Sequence, residues 1–351
     1  MASRHPLARF LSWMFRWLVR GVIVLAIVWA GLYGLARWTL NDLDRADPAR
    51  AIDGRPDISL AALRRPVLEI VAQVHDLRQP HMAPAGPEFS DCDICPTLVE
   101  LPAGHALIGS PVTDLERYRH LFVRPPLRAQ LPFINREGPR LLISLPRSLA
   151  MATTELTLAQ WTAAQQDPDW QTVTGRAPRI PQIMADIPGD HAVTGLDWYD
   201  AQAYVRWLSH RTGQHYRLPS DAEWEFAARA GSAGRFFWGN SLPDGQAACA
   251  DCSTGPADAG PGKVARFAPN AFGLHDMHGN GWEWVEDCYA PYHDPVKRSG
   301  AAHIFEDCEF RIIRGGSGFD EGWKARSATR VGPHPDNAEP GSVIRVVREM
   351  P

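Results

Sequence analysis

The chain carries no long run of basic residues, and 36 Lys and Arg against 40 Asp and Glu leave a formal net charge of −4. Nucleic acid would find no electrostatic footprint here and is not expected as a partner. No period of roughly 20–50 residues repeats, which excludes solenoids and propellers. No stretch fits the EF-hand loop. Cysteine is sparse, six in 351 residues, and none follows Cys308. The charge-free apolar run Gly21–Ala36 (GVIVLAIVWAGLYGLA) is short for a membrane core, which needs about twenty residues. Glycine (29), proline (30) and tryptophan (13) are plentiful instead. The first two demand many turns and irregular segments. The tryptophans supply core volume that a loop-rich domain would otherwise lack.

The short apolar run is extended on both sides. FLSWMFRWLV before it is mostly apolar. Arg16, Arg20 and Arg37 can snorkel at its edges, and Trp13, Trp17, Trp29 and Trp38 suit interfacial belts. Arg4, Arg9, Arg16 and Arg20 precede the run, whereas Asp42 and Asp44 follow it, so the positive-inside rule places the N-terminus in the cytoplasm. The expected layout is a cytoplasmic segment 1–15, a single-pass transmembrane anchor helix 16–38, a connector or stalk 39–86 and a domain 87–351. The domain then faces the periplasm from the cytoplasmic (inner) membrane. A signal peptide cleaved near Gly34-Leu35-Ala36 is the competing reading, with an unusually long charged lead. Either reading exports the domain. Within the connector, Ser59–Leu77 has helical apolar spacing interrupted by Pro66, which suggests a stalk helix.

Inside the domain, Leu98–Leu101 reads as a strand, and Pro102–Gly104 as the turn into a second ending at Gly109-Ser110. Thr153–Thr157 reads as a short strand with Thr157 capping the helix LAQWTAAQQ. Asp200–Arg211 reads as a helix with Ala203, Tyr204, Trp207 and Leu208 on one stripe. Ser220 and Glu223 form a capping box for a helix through Arg229, stopped by Gly231. Val343–Val347 reads as a closing strand.

The densest stretch is Asn270–Cys288, NAFGLHDMHGNGWEWVEDC. Gly273, Gly279 and Gly281 permit backbone angles that let carbonyls turn inward, and Asp276 and Glu283 can bring carboxylate oxygens to the same point. That shell suits a hard cation such as Ca²⁺. The alternative is a tight turn in which Asp276 caps backbone N–H groups and Glu283 sits in an ion pair. His275 and His278 are expected to point outward.

Six cysteines in an exported domain point to disulfides. Cys288 and Cys308 bracket a loop and are expected to bond. The pairs Cys92/Cys95 and Cys249/Cys252 leave three readings open: local or crossed disulfides, a shared tetrahedral zinc site, or redox chemistry.

The motifs CPTLVELPAGHALIGS (95–110), TTELTLAQW (153–161), HAVTGLDWYDAQAYVRWLSHRTGQHYRLPSDAEWEFAARAG (191–231), GNGWEW (279–284) and RIIRGGS (311–317) occur in that order, followed by Arg326-x-x-x-Arg330. Together they resemble the formylglycine-generating enzyme (sulfatase-modifying factor) family over about residues 87–351. The resemblance implies an α+β, loop-rich fold of the C-type-lectin-like kind. It also implies a structural Ca²⁺ held by the side chains of Asp276 and Glu283 and the carbonyls of Gly279 and Gly281.

Catalytic members of that family bind copper through two cysteines between the GGS turn and the R-x-x-x-R segment. Here Gly318–Ala325 reads GFDEGWKA and holds no cysteine. Formylglycine generation by that route is not expected, nor is copper or iron; iron-dependent relatives draw histidines from a helical domain with no counterpart here. What remains for a binding cleft is Trp282, Ser317, Phe319, Asp320, Glu321, Trp323, Arg326 and Arg330, with Arg326 and Arg330 also suited to pairing with buried carboxylates. The expected function is a non-catalytic, calcium-stabilised module that binds or regulates a periplasmic protein partner. The alternative is a divergent periplasmic oxidase or maturation factor, as family members are implicated in pyoverdine completion and nitrite-reductase maturation.

Overall fold

Among the described residues, three small sheets and four α-helices pack around two main hydrophobic clusters, the first of them rich in tryptophan. The computed structural model describes residues 83–110, 137–138, 140–181, 184–252, 261–290, 293 and 299–350. The expected anchor 16–38 and nearly all of the connector lie outside the described residues. Among those described, no helix is long and apolar enough to cross a membrane.

The first sheet joins β1 (Glu88–Phe89), β2 (Leu98–Leu101), β5 (Leu149–Ala152), β11 (Val347–Glu349) and β6 (Tyr216–Arg217), in the order β1-β2-β5-β11-β6. The last strand thus lies between two earlier ones, with Val347 opposite both Met151 and Arg217. β3 (Gly104–Ile108) and β4 (Leu141–Leu145) form a hairpin-like pair. The third sheet runs β10 (Ser342–Val343), β7 (Trp282–Cys288), β8 (Arg311–Arg314), β9 (Arg330–Val331).

The helices are α1 (Leu158–Gln165), α2 (Trp170–Thr174), α3 (Trp198–Thr212) and α4 (Asp221–Arg229). α1 starts at Thr157, whose side chain accepts from the Gln160 N–H as expected. α3 begins two residues before the sequence reading, because Asp197 caps it in a box with Asp200. Its stripe of Ala203, Tyr204, Trp207 and Leu208 is fully buried. There it packs with Trp161 and Trp170, whose rings meet edge-on at 5.4 Å. α4 carries the Ser220/Glu223 capping box, and Ala230 takes the left-handed conformation (φ 43°) one residue before the expected stop. Trp224, Ala227 and Ala228 face the second cluster.

Two expected strands are corrected. Thr153–Thr157 is not a strand; regular pairing ends at Ala152, and only Thr157 bridges to Ala192. The closing strand Val343–Val347 is split into β10 and β11. Between them the Ile344 and Val346 carbonyls accept from Leu156 and Ala152. Arg345 meanwhile turns its side chain inward, and the segment changes sheets around that residue.

Candidate functional site

The turn before β7 is forced by close approaches. A Cβ at Gly279 (φ 93°) would sit 2.2 Å from the Ala248 carbonyl oxygen, and one at Gly281 would sit 2.5 Å from Val343 Cγ1. Asp276 (φ 58°) and Asn280 (φ 64°) also take the left-handed region. This backbone brings Asp276 and Glu283 into a buried cluster that includes Glu155, a residue the sequence reading did not single out.

Glu283 accepts from Arg345 Nη2 (2.7 Å) and Nε (2.9 Å) and from Trp224 Nε1 (2.6 Å). Asp276 Oδ2 accepts from the Ala265 N–H at 2.6 Å. Glu155 Oε1 accepts from Asn280 Nδ2 at 2.8 Å, and its Oε2 lies 3.8 Å from Arg345 Nη2. Burial, then the charge of Asp276, pushes the Glu155 carboxyl well above its ordinary range despite Arg345. Burial raises Asp276 as well.

Three buried carboxylates therefore share the Arg345 guanidinium, and Asp276 Oδ1 and Glu155 Oε2 have no hydrogen-bond partner. The ion pair and the backbone cap of the alternative reading are both present, yet they leave two buried acceptor atoms without a hydrogen-bond partner. Oxygen donors are what a hard divalent cation takes, but both Glu283 oxygens are already held by Arg345 and Trp224. Of the expected ligands, Asp276 and Gly279 lie in the turn, Gly281 just before β7 and Glu283 within it, and the Gly279 carbonyl accepts from the Gly281 N–H at 2.8 Å.

His278 corrects an expectation. It is buried, not outward, because its Nδ1 donates to the Ala325 carbonyl (2.7 Å) and its Nε2 accepts from the Phe237 N–H (3.2 Å). Phe236, Phe237 and Trp238 enclose the ring, and burial lowers its pKa to about 4, so it is neutral at pH 7. His275 is half-buried against the Phe267 carbonyl.

On the other side of β7, the candidate cleft centres on Asp320. Its Oδ2 accepts from Ser317 Oγ (2.6 Å) and Trp282 Nε1 (2.7 Å), and its Oδ1 pairs with Lys324 Nζ (2.5 Å). Burial opposes ionisation, but the hydrogen bonds from Lys324 and Ser317 hold Asp320 below its ordinary range. Phe319 beside it is 50% exposed. Trp323 is half-buried and donates through Nε1 to Glu321. Arg326 is corrected as a cleft residue: it is buried, with Nη1 and Nη2 on the two Glu137 oxygens (2.7 and 2.5 Å). Arg330 pairs with Asp221 at 2.8 Å. Both serve the scaffold, since a buried carboxylate demands such a partner.

All three disulfides are local in kind: Cys92–Cys95, Cys249–Cys252 and Cys288–Cys308. Crossed pairing and a zinc ion shared by the two CxxC pairs are thereby excluded, because each pair is closed on itself. The Cys249–Cys252 turn touches the cleft loop. Ala250 N–H donates to the Asp320 carbonyl (2.8 Å), and Gly322 N–H donates to Asp251 Oδ1 (2.6 Å). Nothing in the local sequence announces that contact.

A small polar cavity of about 40 Å³ lies beside α4 and is lined by Asp221, Asp287, His293, His303 and Arg330. Burial and the Arg330 charge lower His293 to about 4, against the pull of Asp221. Burial and the Asp221 charge push Asp287 up to about 7. The signs are opposite. Stability linked to His293 is present above 6.5 and lost as pH falls toward 4; that linked to Asp287 is present below 3.8 and lost as pH rises toward 7. His293→Asn should therefore gain on wild type by up to roughly 3 kcal/mol as pH falls through that His293 window. Urea midpoints at each pH read this, and a constant gap would rule it out.

With this geometry in hand, comparisons with known proteins identify the family. Residues 88–350 match the sulfatase-modifying factor enzyme 1-like domain. The formylglycine-generating enzyme of Streptomyces coelicolor is 35% identical over 170 residues, covering 43% of this chain and 50% of that protein. The inactive C-alpha-formylglycine-generating enzyme 2 of Bos taurus is 32% identical over 159 residues, 42% of this chain and 46% of that protein. The chain thus spans about half the length of these relatives. The structure of PvdO from Pseudomonas aeruginosa superposes with a TM-score of 0.61 at 30% identity, covering 76% of this chain and 99% of that one. The chain belongs to the sulfatase-modifying factor enzyme 1-like family and has the fold of the formylglycine-generating enzymes.

Proposed function

We propose that this chain is a membrane-tethered, periplasm-facing member of the family that binds a protein partner and does not oxidise cysteine. The observation that carries the reading is Asp320. In the loop where catalytic relatives place thiols, this chain places a carboxylate already saturated by Ser317, Trp282 and Lys324. That leaves Phe319, exposed at the edge of the same network, as the anchor for a partner. Residues 16–38 would form the anchor and 39–86 the stalk, with 1–15 in the cytoplasm. A structural Ca²⁺ at Asp276, Glu283 and the Gly279 and Gly281 carbonyls would brace the floor of the domain; it supplies charge balance, not chemistry.

Phe319→Ala is expected to shift stability by no more than about 0.5 kcal/mol, as for an exposed side chain, while abolishing partner binding. Protein isolated with its disulfides closed should contain calcium and no stoichiometric copper or iron. Redox-active copper or iron in that material would favour the second reading, a divergent periplasmic oxidase or maturation factor. The intact Ser317–Asp320–Trp282 hydrogen-bonded unit is the feature on its side.

A further inference from the structure

We infer that Cys249, Asp251 and Cys252 form a Cu(I) site once the Cys249–Cys252 disulfide is reduced, and that this site is coupled to the cleft loop. Among the described residues these three are a group of metal-capable side chains whose ligand atoms all lie within 4.8 Å of one another. Cys249 Sγ lies 3.2 Å from Asp251 Oδ1. The turn between them is also closed by a backbone hydrogen bond, from Cys252 N–H to the Cys249 carbonyl.

The surroundings choose the ion. Both cysteines are buried against Ala247, Leu242 and Trp238, whereas Asp251 is exposed and gives an incoming ion its first contact with the site. Thiolates select soft ions. Zinc wants four ligands, and this group offers three. Cu(I) is satisfied by two sulfurs with at most one weak further donor.

The redox step needs an external dithiol. Its two thiols pass two electrons and two protons to the Cys249–Cys252 disulfide, the S–S bond breaks, and the dithiol leaves as its own disulfide. When Cu(I) binds, the cysteine thiols release their protons to solvent and the metal stays monovalent.

Coupling to the cleft follows from the contacts already named. Gly322 N–H donates to Asp251, Ala250 N–H donates to the Asp320 carbonyl, and Gly322 packs so closely that a Cβ there would lie 2.9 Å from Cys249 Sγ. Any rearrangement of the sulfurs around an ion must move the loop that carries Asp320 and Trp323.

The test uses the full chain, reduced by a dithiol, freed of it without oxygen, and titrated with the coloured Cu(I)–bicinchoninate complex. Cys249→Ser/Cys252→Ser is expected to withdraw one equivalent of Cu(I) fewer than wild type, while Cys92→Ser/Cys95→Ser retains that equivalent. Asp251→Asn keeps every cysteine and should weaken that equivalent by about tenfold. Tryptophan fluorescence should change on Cu(I) addition in wild type and not in Cys249→Ser/Cys252→Ser. Equal withdrawal of Cu(I) by wild type and Cys249→Ser/Cys252→Ser, or an Asp251→Asn titration that overlays wild type, would overturn the site.

Discussion

Arg345→Met is expected to cost about 3–5 kcal/mol, the range for removing one partner of a buried ion pair. In a domain of this size that is a fall in Tm of roughly 6–20 °C. Arg345 is fully buried and donates to Glu283, to the Ala152 carbonyl (2.8 Å) and to the His275 carbonyl (2.9 Å). It thereby ties the closing segment to β5, to the glycine turn and to β7 at once. Its loss leaves Glu283 and Glu155 without the guanidinium that pairs with them in a buried space. Glu283→Gln on the same background removes one stranded charge while keeping an acceptor for Trp224 Nε1, so the double variant should recover part of the loss. A Tm for Arg345→Met within about 2 °C of wild type would mean that the cluster is held by something else.

Removing the proposed calcium should be the next largest effect. A ligand present at a hundred times its Kd adds about 2.7 kcal/mol, so chelation should lower the wild-type Tm by about 5–10 °C. Asp276→Ala is the more informative variant, because Asp276 holds no other side chain and loses only backbone hydrogen bonding, from the Ala265 N–H. It should melt at the chelated wild-type temperature or slightly below it, with or without added Ca²⁺. Glu283→Ala is a poorer choice: Glu283 also holds Arg345 and Trp224, so its loss destabilises the domain whether or not an ion is bound. Chelation that leaves the wild-type Tm unchanged would remove calcium from the account.

What could be read from the chain was local. The Ser220/Glu223 capping box, the α3 stripe and the glycines of the turn before β7 are each encoded within a few residues, and each is found in place. The family motifs are likewise read within single segments, and residues 88–350 match the family domain. The missed features all join side chains that are far apart in sequence. Glu155 meets Asn280 and Arg345, Glu137 meets Arg326, and the Cys249–Cys252 turn meets the loop after β8. No period or spacing announces such meetings. Thr153–Thr157 has strand-forming threonines, yet the segment buries its own Glu155 against Asn280, and this tertiary contact takes precedence over propensity. His278 was misplaced for a similar reason, because a turn built of positive-φ residues gives no rule for which side chain faces the core.

We propose that the domain keeps the scaffold of the formylglycine-generating enzymes without their cysteine-oxidising chemistry. The direct measurement is to incubate the purified, disulfide-bonded chain with a cysteine-bearing sulfatase peptide, oxygen and supplied copper, and to assay the peptide for aldehyde with a hydrazide probe. The expected result is peptide with its cysteine unchanged beyond the protein-free control. Catalytic conversion of the cysteine to formylglycine would contradict it.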